Sequence, residues 1–225
     1  MKKEVWIQDK KIKALVFDMD GLIFDSERIV QRAWTKSSEE LGLPDVGAHI
    51  YNTIGFNAVR REAYFYQTFG ESFPADDFAV LARKNFQDIA HKEGIPLKPG
   101  ARELVQLAKE LGLKTAVATS SRKVHAVEML TEAGLYQYFD GAVYGDIVEN
   151  AKPDPEIYIA AGKVLGVEPG QCIALEDSPA GIEAAYAAGM QPVMIPDLVA
   201  PSAEILAMCY QCFPTLNGVI ELFSH

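Results

Sequence analysis

The chain has 225 residues, of which 49% are hydrophobic and 23% are charged, and this length suits one large domain or one domain that carries an insertion. Its formal net charge of −10 argues against a nucleic-acid partner, because proteins that bind the phosphate backbone usually present a basic surface. The sequence contains no run of the ~18 apolar residues that a membrane span requires, and no apolar signal-peptide region near its start. We therefore expect a cytoplasmic protein with no membrane partner that is a monomer or a weak homodimer.

The three cysteines, Cys172, Cys209 and Cys212, cannot all pair with one another. Cys209 and Cys212 form a C-x-x-C in "AMCYQCF", but no second cysteine pair or set of histidine ligands accompanies it. We expect inert or partly buried thiols here rather than a zinc site or a redox centre.

The first predicted strand lies in "ALVFDMDGLIFDSE", residues 14–27, where an apolar run ends in two aspartates and a glycine. From Arg28 to about Gly94 the sequence has helical patterns only, with many aromatic residues. A helical block after the first strand of an α/β sheet predicts an inserted domain. We expect a core domain of residues 1–25 and 95–225 and a helical cap of residues 26–94, with hinges near 24–27 and 94–99.

After residue 98, predicted strands alternate with helices that begin near a proline and end at a glycine. The strands are "KTAVATS" (114–120), the weaker "FDGAVYG" (139–145), "QCIALED" (171–177) and "QPVMIPD" (191–197). Repeated βα units with short connections are typical of a parallel sheet that is covered by helices on both faces. The sequence therefore predicts a doubly wound, Rossmann-like α/β core.

Several polar residues follow directly after these strands, and open α/β sheets bind ligands outside the carboxyl ends of their strands. Four carboxylates there would repel one another unless a cation lay among them, and Mg²⁺ prefers such oxygen ligands. A lysine in "NAKPDP" supplies a point positive charge for phosphoryl oxygens, and a threonine supplies a hydroxyl donor. The residues are Asp18, Asp20, Thr119, Ser120, Lys152, Glu176 and Asp177.

Four ordered motifs, "DMDG", "ATSS", "AKPDP" and "ALEDSPAGI", resemble those of the haloacid dehalogenase-like phosphohydrolase superfamily. The resemblance extends over essentially the whole chain, including a helical cap of the C1 type, and points to the branch of β-phosphoglucomutases and sugar phosphatases. It implies that Asp18 is a nucleophile that forms an aspartyl-phosphate. It also implies that Asp20 is a general acid and base, which protonates the leaving alcohol and then activates water.

The same resemblance implies a Mg²⁺ site and a phosphoryl site. The metal ligands would be Asp18, the backbone carbonyl of Asp20, Glu176 and Asp177. The phosphoryl oxygens would be held by Thr119, Ser120 and Lys152. In the cap, the substrate candidates are Glu27, Arg60 and Arg61, although exposed cap arginines are commonly just solvated charges.

The predicted function is a Mg²⁺-dependent phosphatase that acts on a small phosphorylated metabolite, either a sugar phosphate or a nucleoside monophosphate. A β-phosphoglucomutase-like mutase is the close alternative, but Val30 stands where that resemblance predicts a histidine. Ala58 stands at about the position where it predicts an arginine, with Arg60 and Arg61 close by. A phosphorylation-responsive receiver domain is a weaker alternative, because such domains are shorter, lack a cap and place their acidic pair before the phosphoacceptor. A silent regulatory protein with this fold is also open, although every motif residue is present.

Overall fold

The computed structural model describes residues 5–7 and 10–223. Residues 1–4, 8–9 and 224–225 belong to the predicted core range but lie outside the described residues. The described chain begins with two short antiparallel strands, β1 (Val5–Ile7) and β2 (Lys10–Ile12). The sequence patterns did not predict this pair, because three residues are too few to display an alternation.

A parallel sheet of six strands forms the centre of the molecule, in the order β5-β4-β3-β6-β7-β8. Its central strands are almost entirely buried, as expected for a sheet that is covered on both faces. The predicted doubly wound α/β fold is confirmed. The strands are β3 (Ala14–Phe17), β4 (Lys114–Thr119), β5 (Gly141–Tyr144), β6 (Cys172–Glu176), β7 (Gln191–Met194) and β8 (Gln211–Cys212).

A helical region lies between β3 and the next sheet strand. It comprises α1 (Glu27–Leu41), a 3₁₀ helix (Val46–Asn52), α2 (Ala58–Phe69) and α3 (Ala75–Glu93). Its aromatic residues contact one another in a separate hydrophobic cluster, in which Phe65 makes edge-on or tilted contacts with Trp34, Phe73 and Phe78. These aromatic side chains therefore form a local core, as the sequence patterns indicated.

The remaining helices cover the two faces of the sheet and form three further hydrophobic clusters with it. They are α4 (Ala101–Leu111), α5 (Lys123–Glu132), α6 (Glu156–Leu165), α7 (Pro179–Ala187), α8 (Ala203–Met208) and α9 (Leu216–Phe223). None of the helices within the described residues is both long and apolar enough to cross a bilayer.

The two segments that join the helical region to the sheet run side by side. Phe24 and Leu97 form an antiparallel bridge, and the Asp25 amide donates to the Pro96 carbonyl at 2.9 Å. Asp197, from the loop after β7, accepts hydrogen bonds from Arg28 and Lys98 at 2.7 Å each. Hydrogen bonds therefore hold the two connecting segments together and attach both of them to the loop after β7.

Candidate active site

Three buried carboxylates meet where β3 and β6 end. The side chains of Asp18, Glu176 and Asp177 each offer an oxygen atom within 4.8 Å of the others. The Asp18 amide donates to the Leu175 carbonyl at 3.0 Å, so the pairing of the two strands sets the approach of the three residues. Gly21 has a φ of +83°, and a Cβ atom there would overlap the Asp177 side chain. Glycine is therefore required at the turn that leaves β3.

Lys152 lies in the middle of this group, and its side chain is only 1% exposed. Its Nζ donates to Asp18 Oδ1 at 2.5 Å, to Glu176 Oε1 at 2.6 Å and to the Ala118 carbonyl at 3.1 Å. Burial alone would lower the pKa of Lys152, but Asp18 and Glu176 raise it above its usual value. Lys152 therefore carries its positive charge at neutral pH.

The three carboxylates have more negative charge than one lysine can balance. Burial raises the pKa of Asp18 to about 7, with Lys152 opposing the shift and Glu176 adding to it. Burial, Asp18 and Glu176 together raise the pKa of Asp177 well above its usual value. Asp177 Oδ2 is buried and has no hydrogen-bond partner among the described residues. This oxygen is free to bind a metal ion, and the surrounding carboxylate oxygens are the ligands that a divalent cation such as Mg²⁺ prefers.

Glu176 differs from the other two carboxylates because both of its oxygens are already engaged. Oε1 accepts from Lys152 and from the Tyr158 hydroxyl at 2.5 Å, while Oε2 accepts from the Ser178 amide at 3.3 Å and the Ser178 hydroxyl at 3.0 Å. Asp18 and Asp177 are therefore the more open ligands for a metal ion.

The Asp20 carboxylate lies apart from the three clustered carboxylates and is surrounded by hydroxyl groups. Oδ1 accepts from Ser26 Oγ at 2.8 Å, and Oδ2 accepts from Ser121 Oγ at 2.7 Å and from Thr119 Oγ1 at 3.5 Å. Sequence reasoning did not identify Ser26 and Ser121. The available signal was their position beside motif residues, in "FDSE" and "ATSS".

Thr119 is the last residue of β4 and Ser120 follows it, beside these carboxylates. Thr119 is buried, and its Oγ1 also accepts from the Ser121 amide at 3.0 Å. Ser120 Oγ donates to the Gly55 carbonyl at 3.2 Å, so it contacts the helical region. Gly55 has a φ of +79°, and a Cβ atom there would come within 2.9 Å of Ser178 Oγ.

The three predicted cap residues lie in different environments. Arg60 is exposed, its guanidinium lies 3.8 Å from the centre of the Phe56 ring, and Nη1 donates to the Lys152 carbonyl at 2.7 Å. Arg61 is half-buried beside the Trp34 ring. Glu27 is buried, and its pKa rises to about 8 through burial and Asp20, against the opposing effect of Arg61.

Glu27 and Arg61 therefore share one environment with Asp20, whereas Arg60 contacts the core through a backbone carbonyl. The two arginines are adjacent in the sequence but do not form a single site. A role for Arg60 in docking the helical region accounts for its contact, and Arg61 remains the candidate for contact with substrate.

The cysteines lie outside this arrangement, since the acidic group around Asp18 contains none of them. Burial raises the pKa of the Cys209 thiol to about 11, and its Sγ donates to the Ile205 carbonyl at 3.3 Å. Cys172 is buried and Cys212 is exposed. Burial and a raised pKa make Cys172 and Cys209 poor nucleophiles.

Comparison with known proteins identifies the family. A model of the haloacid dehalogenase-like hydrolases matches residues 12–189. The chain is 34% identical to hexitol phosphatase B of Escherichia coli K12 over 199 residues, which are 87% of each chain. It is 33% identical to a phosphorylated carbohydrates phosphatase of Thermotoga maritima over 189 residues, which are 81% of this chain and 84% of the relative.

A solved structure extends the likeness to the whole fold. CbbY from Rhodobacter sphaeroides, in complex with phosphate, superimposes with a TM-score of 0.80 at 26% identity, and the match covers 95% of this chain and 100% of that one. The sequence motifs, the fold and the relatives therefore agree. This chain belongs to the haloacid dehalogenase-like hydrolase family, in the branch that contains the sugar and hexitol phosphatases.

Proposed function

We propose that this protein is a Mg²⁺-dependent phosphatase that hydrolyses a phosphorylated carbohydrate through an aspartyl-phosphate. The observation that carries the proposal is the arrangement of Asp18. It is held by Lys152 at 2.5 Å in a buried acidic group, with Asp20 two residues further on in a separate set of hydroxyl contacts. Asp18 is thus placed among charged groups, whereas Asp20 is held by hydrogen bonds from hydroxyl groups.

In the proposed reaction, Asp18 attacks the phosphorus atom, and the bond from phosphorus to the leaving oxygen breaks. Asp20 donates its proton to that oxygen, and the carbohydrate leaves as an alcohol. Asp20 then takes a proton from water as the water attacks phosphorus, which releases inorganic phosphate and regenerates the Asp18 carboxylate. The hydroxyls of Ser26 and Ser121 orient Asp20 in both steps.

The phosphoryl oxygens would be held by Thr119 and Ser120, at the end of β4, and by Lys152, from the loop between β5 and α6. Mg²⁺ would be held by Asp18 and Asp177, with Glu176 and the Asp20 carbonyl as further ligand candidates. When bound, the metal ion neutralises negative charge on the phosphoryl group and the carboxylates.

The leaving group would lie against the helical region. Glu27 and Arg61 combine hydrogen-bonding capacity with a positive charge beside Asp20, which suits an alcohol that carries several hydroxyl groups. The named relatives act on hexitol phosphates and phosphorylated carbohydrates, and this supports a sugar or sugar-alcohol phosphate over a nucleoside monophosphate.

A mutase would need a further proton-carrying group in α1 at the position of Val30. Val30 is a hydrocarbon side chain packed against the aromatic cluster of the helical region. Ala58, the first residue of α2, has no charge for a second phosphate. Neither position supplies the group that a mutase would need, and this favours hydrolysis over transfer of the phosphoryl group back to the sugar.

The test is phosphate release from a panel of hexitol phosphates, hexose phosphates and nucleoside monophosphates, with Mg²⁺ or with a chelator. Asp18→Asn is the blank, and Asp88→Asn, which changes an exposed aspartate of α3, is the matched control. We expect Mg²⁺-dependent release, highest for a carbohydrate phosphate, that vanishes only in Asp18→Asn. Conversion of β-glucose 1-phosphate to glucose 6-phosphate would instead establish a mutase, and highest release from a nucleotide would overturn the carbohydrate assignment.

A further inference from the structure

Tyr158, in the first turn of α6, is a polar side chain that the reaction above does not use. It is completely buried, and it is among the largest side chains in the protein that are. Its hydroxyl donates to Glu176 Oε1 at 2.5 Å, and the centre of its ring lies 5.2 Å from Lys152 Nζ. A carboxylate oxygen can only accept a hydrogen bond, so the Tyr158 hydroxyl is the donor in this contact.

The oxygen that receives this hydroxyl is the one that Lys152 also contacts. Glu176 Oε1 accepts from Lys152 at 2.6 Å, and the same Nζ lies 2.5 Å from Asp18 Oδ1. Two carboxylates therefore compete for one ammonium group. A second donor on Oε1 reduces the negative charge that Glu176 presents to Lys152, and leaves more of the lysine charge for Asp18 and the phosphoryl oxygens.

The Glu176 carboxylate is also fixed on its other sides. Ser178 donates to Oε2 through its amide and its hydroxyl, and a Cβ atom on Gly181 of α7 would overlap the carboxylate. Glu176 cannot turn away to another partner, so the strength of its attraction for Lys152 depends on the Tyr158 hydroxyl.

We propose that Tyr158 is a positioning residue for the phosphoryl-transfer step, which acts through Glu176 to keep Lys152 directed at Asp18 and the transferring phosphoryl group. The inference rests on the proposed phosphatase function. Tyr158 does not touch substrate. Its effect belongs to the transition state, in which negative charge redistributes between Asp18, the phosphoryl oxygens and the leaving oxygen while Lys152 holds still.

The experiment compares Tyr158→Phe with the wild-type enzyme, using the best carbohydrate phosphate of the panel with saturating Mg²⁺. Phenylalanine keeps the buried ring and removes the hydroxyl alone. We expect kcat to fall by about tenfold while KM changes by less than about twofold, because the lost interaction acts on the chemical step. Tyr138→Phe is the matched control, since its hydroxyl accepts from Gln106, at 3.2 Å, in the same domain, and we expect wild-type kcat.

A double variant distinguishes a positioning role from a structural one. If Tyr158 acts through Glu176, then Tyr158→Phe should cost less than about twofold in kcat when Glu176→Ala is already present. An equal tenfold loss in both backgrounds would overturn the proposal. If Glu176→Ala does not fold, the comparison of kcat with KM decides, and a variant with wild-type kcat or with a loss confined to KM would overturn the proposal.

The same assay separates this inference from the function on which it rests. Phosphate release by the wild-type enzyme with an unchanged kcat in Tyr158→Phe refutes the positioning role and leaves the phosphatase intact. Absence of phosphate release by the wild-type enzyme refutes both.

Discussion

Replacing Asp18 with asparagine should remove activity and, in the absence of metal, reduce the loss of stability as the pH rises from 5 to 8. Asp18 is 7% exposed, and burial is the largest cause of its raised pKa. Asparagine has the same shape and no charge, so it removes the nucleophile together with the cost of ionising a buried carboxyl. The Asp18 contact with Lys152 is weakened, but Glu176 still pairs with that lysine.

The magnitude follows from the difference between the native and unfolded pKa values of Asp18. The native pKa is about 7 and the unfolded pKa is 3.8, so between these pH values the native state binds more protons than the unfolded state. Stability of the metal-free wild type therefore falls as pH rises through this window. Because each tenfold change in a proton-binding constant corresponds to about 1.4 kcal/mol, the Asp18 contribution changes by about 3 kcal/mol between pH 5 and pH 8.

The assay is urea denaturation of the wild type, Asp18→Asn and the Asp88→Asn control at pH 5 and pH 8, with chelator present. We expect the free energy of unfolding of Asp18→Asn, measured relative to wild type, to increase by about 3 kcal/mol from the lower to the higher pH. Lys152 stays protonated throughout this range, so its altered pairing adds a constant offset. A difference that does not change with pH would refute the burial argument, and phosphate release by the variant would refute the nucleophile assignment.

Three further changes test separate parts of the site. Asp20→Asn should lower kcat by about 10²- to 10⁴-fold and leave product inhibition by inorganic phosphate unchanged, since it removes a proton carrier and not a phosphoryl contact. Arg61→Ala should raise KM about tenfold for a hexitol phosphate but not for an aryl phosphate without hydroxyl groups, whereas Arg83→Ala, at an exposed position of α3, should change neither KM. Asp197→Ala should lower the free energy of unfolding by about 1 to 3 kcal/mol in urea, because it removes a buried carboxylate that accepts hydrogen bonds from two basic side chains at the hinge; an unchanged midpoint would contradict that role.

The sequence predicted the positions of site residues correctly where those positions follow from the direction of the strands alone. Asp18, Thr119 and Glu176 each come directly after or at the end of a buried parallel strand, and parallel strands deliver their carboxyl ends to one edge of the sheet. The convergence of these residues could therefore be predicted without knowing any side-chain conformation. Lys152 was predictable for the same reason, because its loop follows the adjacent strand β5.

Features that depend on packing between distant segments could not be read in this way. The contrast between Arg60 and Arg61 is decided by which face of α2 meets the core, and the two residues are equivalent in a sequence pattern. Ser26 reaches Asp20 only because the hinge folds back beside β3. The engagement of both Glu176 oxygens depends on Tyr158, in α6, as well as on Ser178, which directly precedes α7.

Docking of the helical region and binding of the phosphoryl group involve the same residues. Ser120 is a phosphoryl-binding candidate, and its hydroxyl donates to the Gly55 carbonyl of the helical region. Lys152 pairs with Asp18 through its side chain and accepts from Arg60 through its carbonyl. A phosphoryl oxygen that took the Ser120 hydroxyl would free the Gly55 carbonyl, whereas the Arg60 contact involves backbone and could persist. If Ser120 binds the phosphoryl group as proposed, binding would require local rearrangement around Gly55, whose positive φ and close approach to Ser178 leave no room for a side chain. On the proposed function, the Gly55 loop is therefore the part of the helical region that phosphoryl binding would affect first.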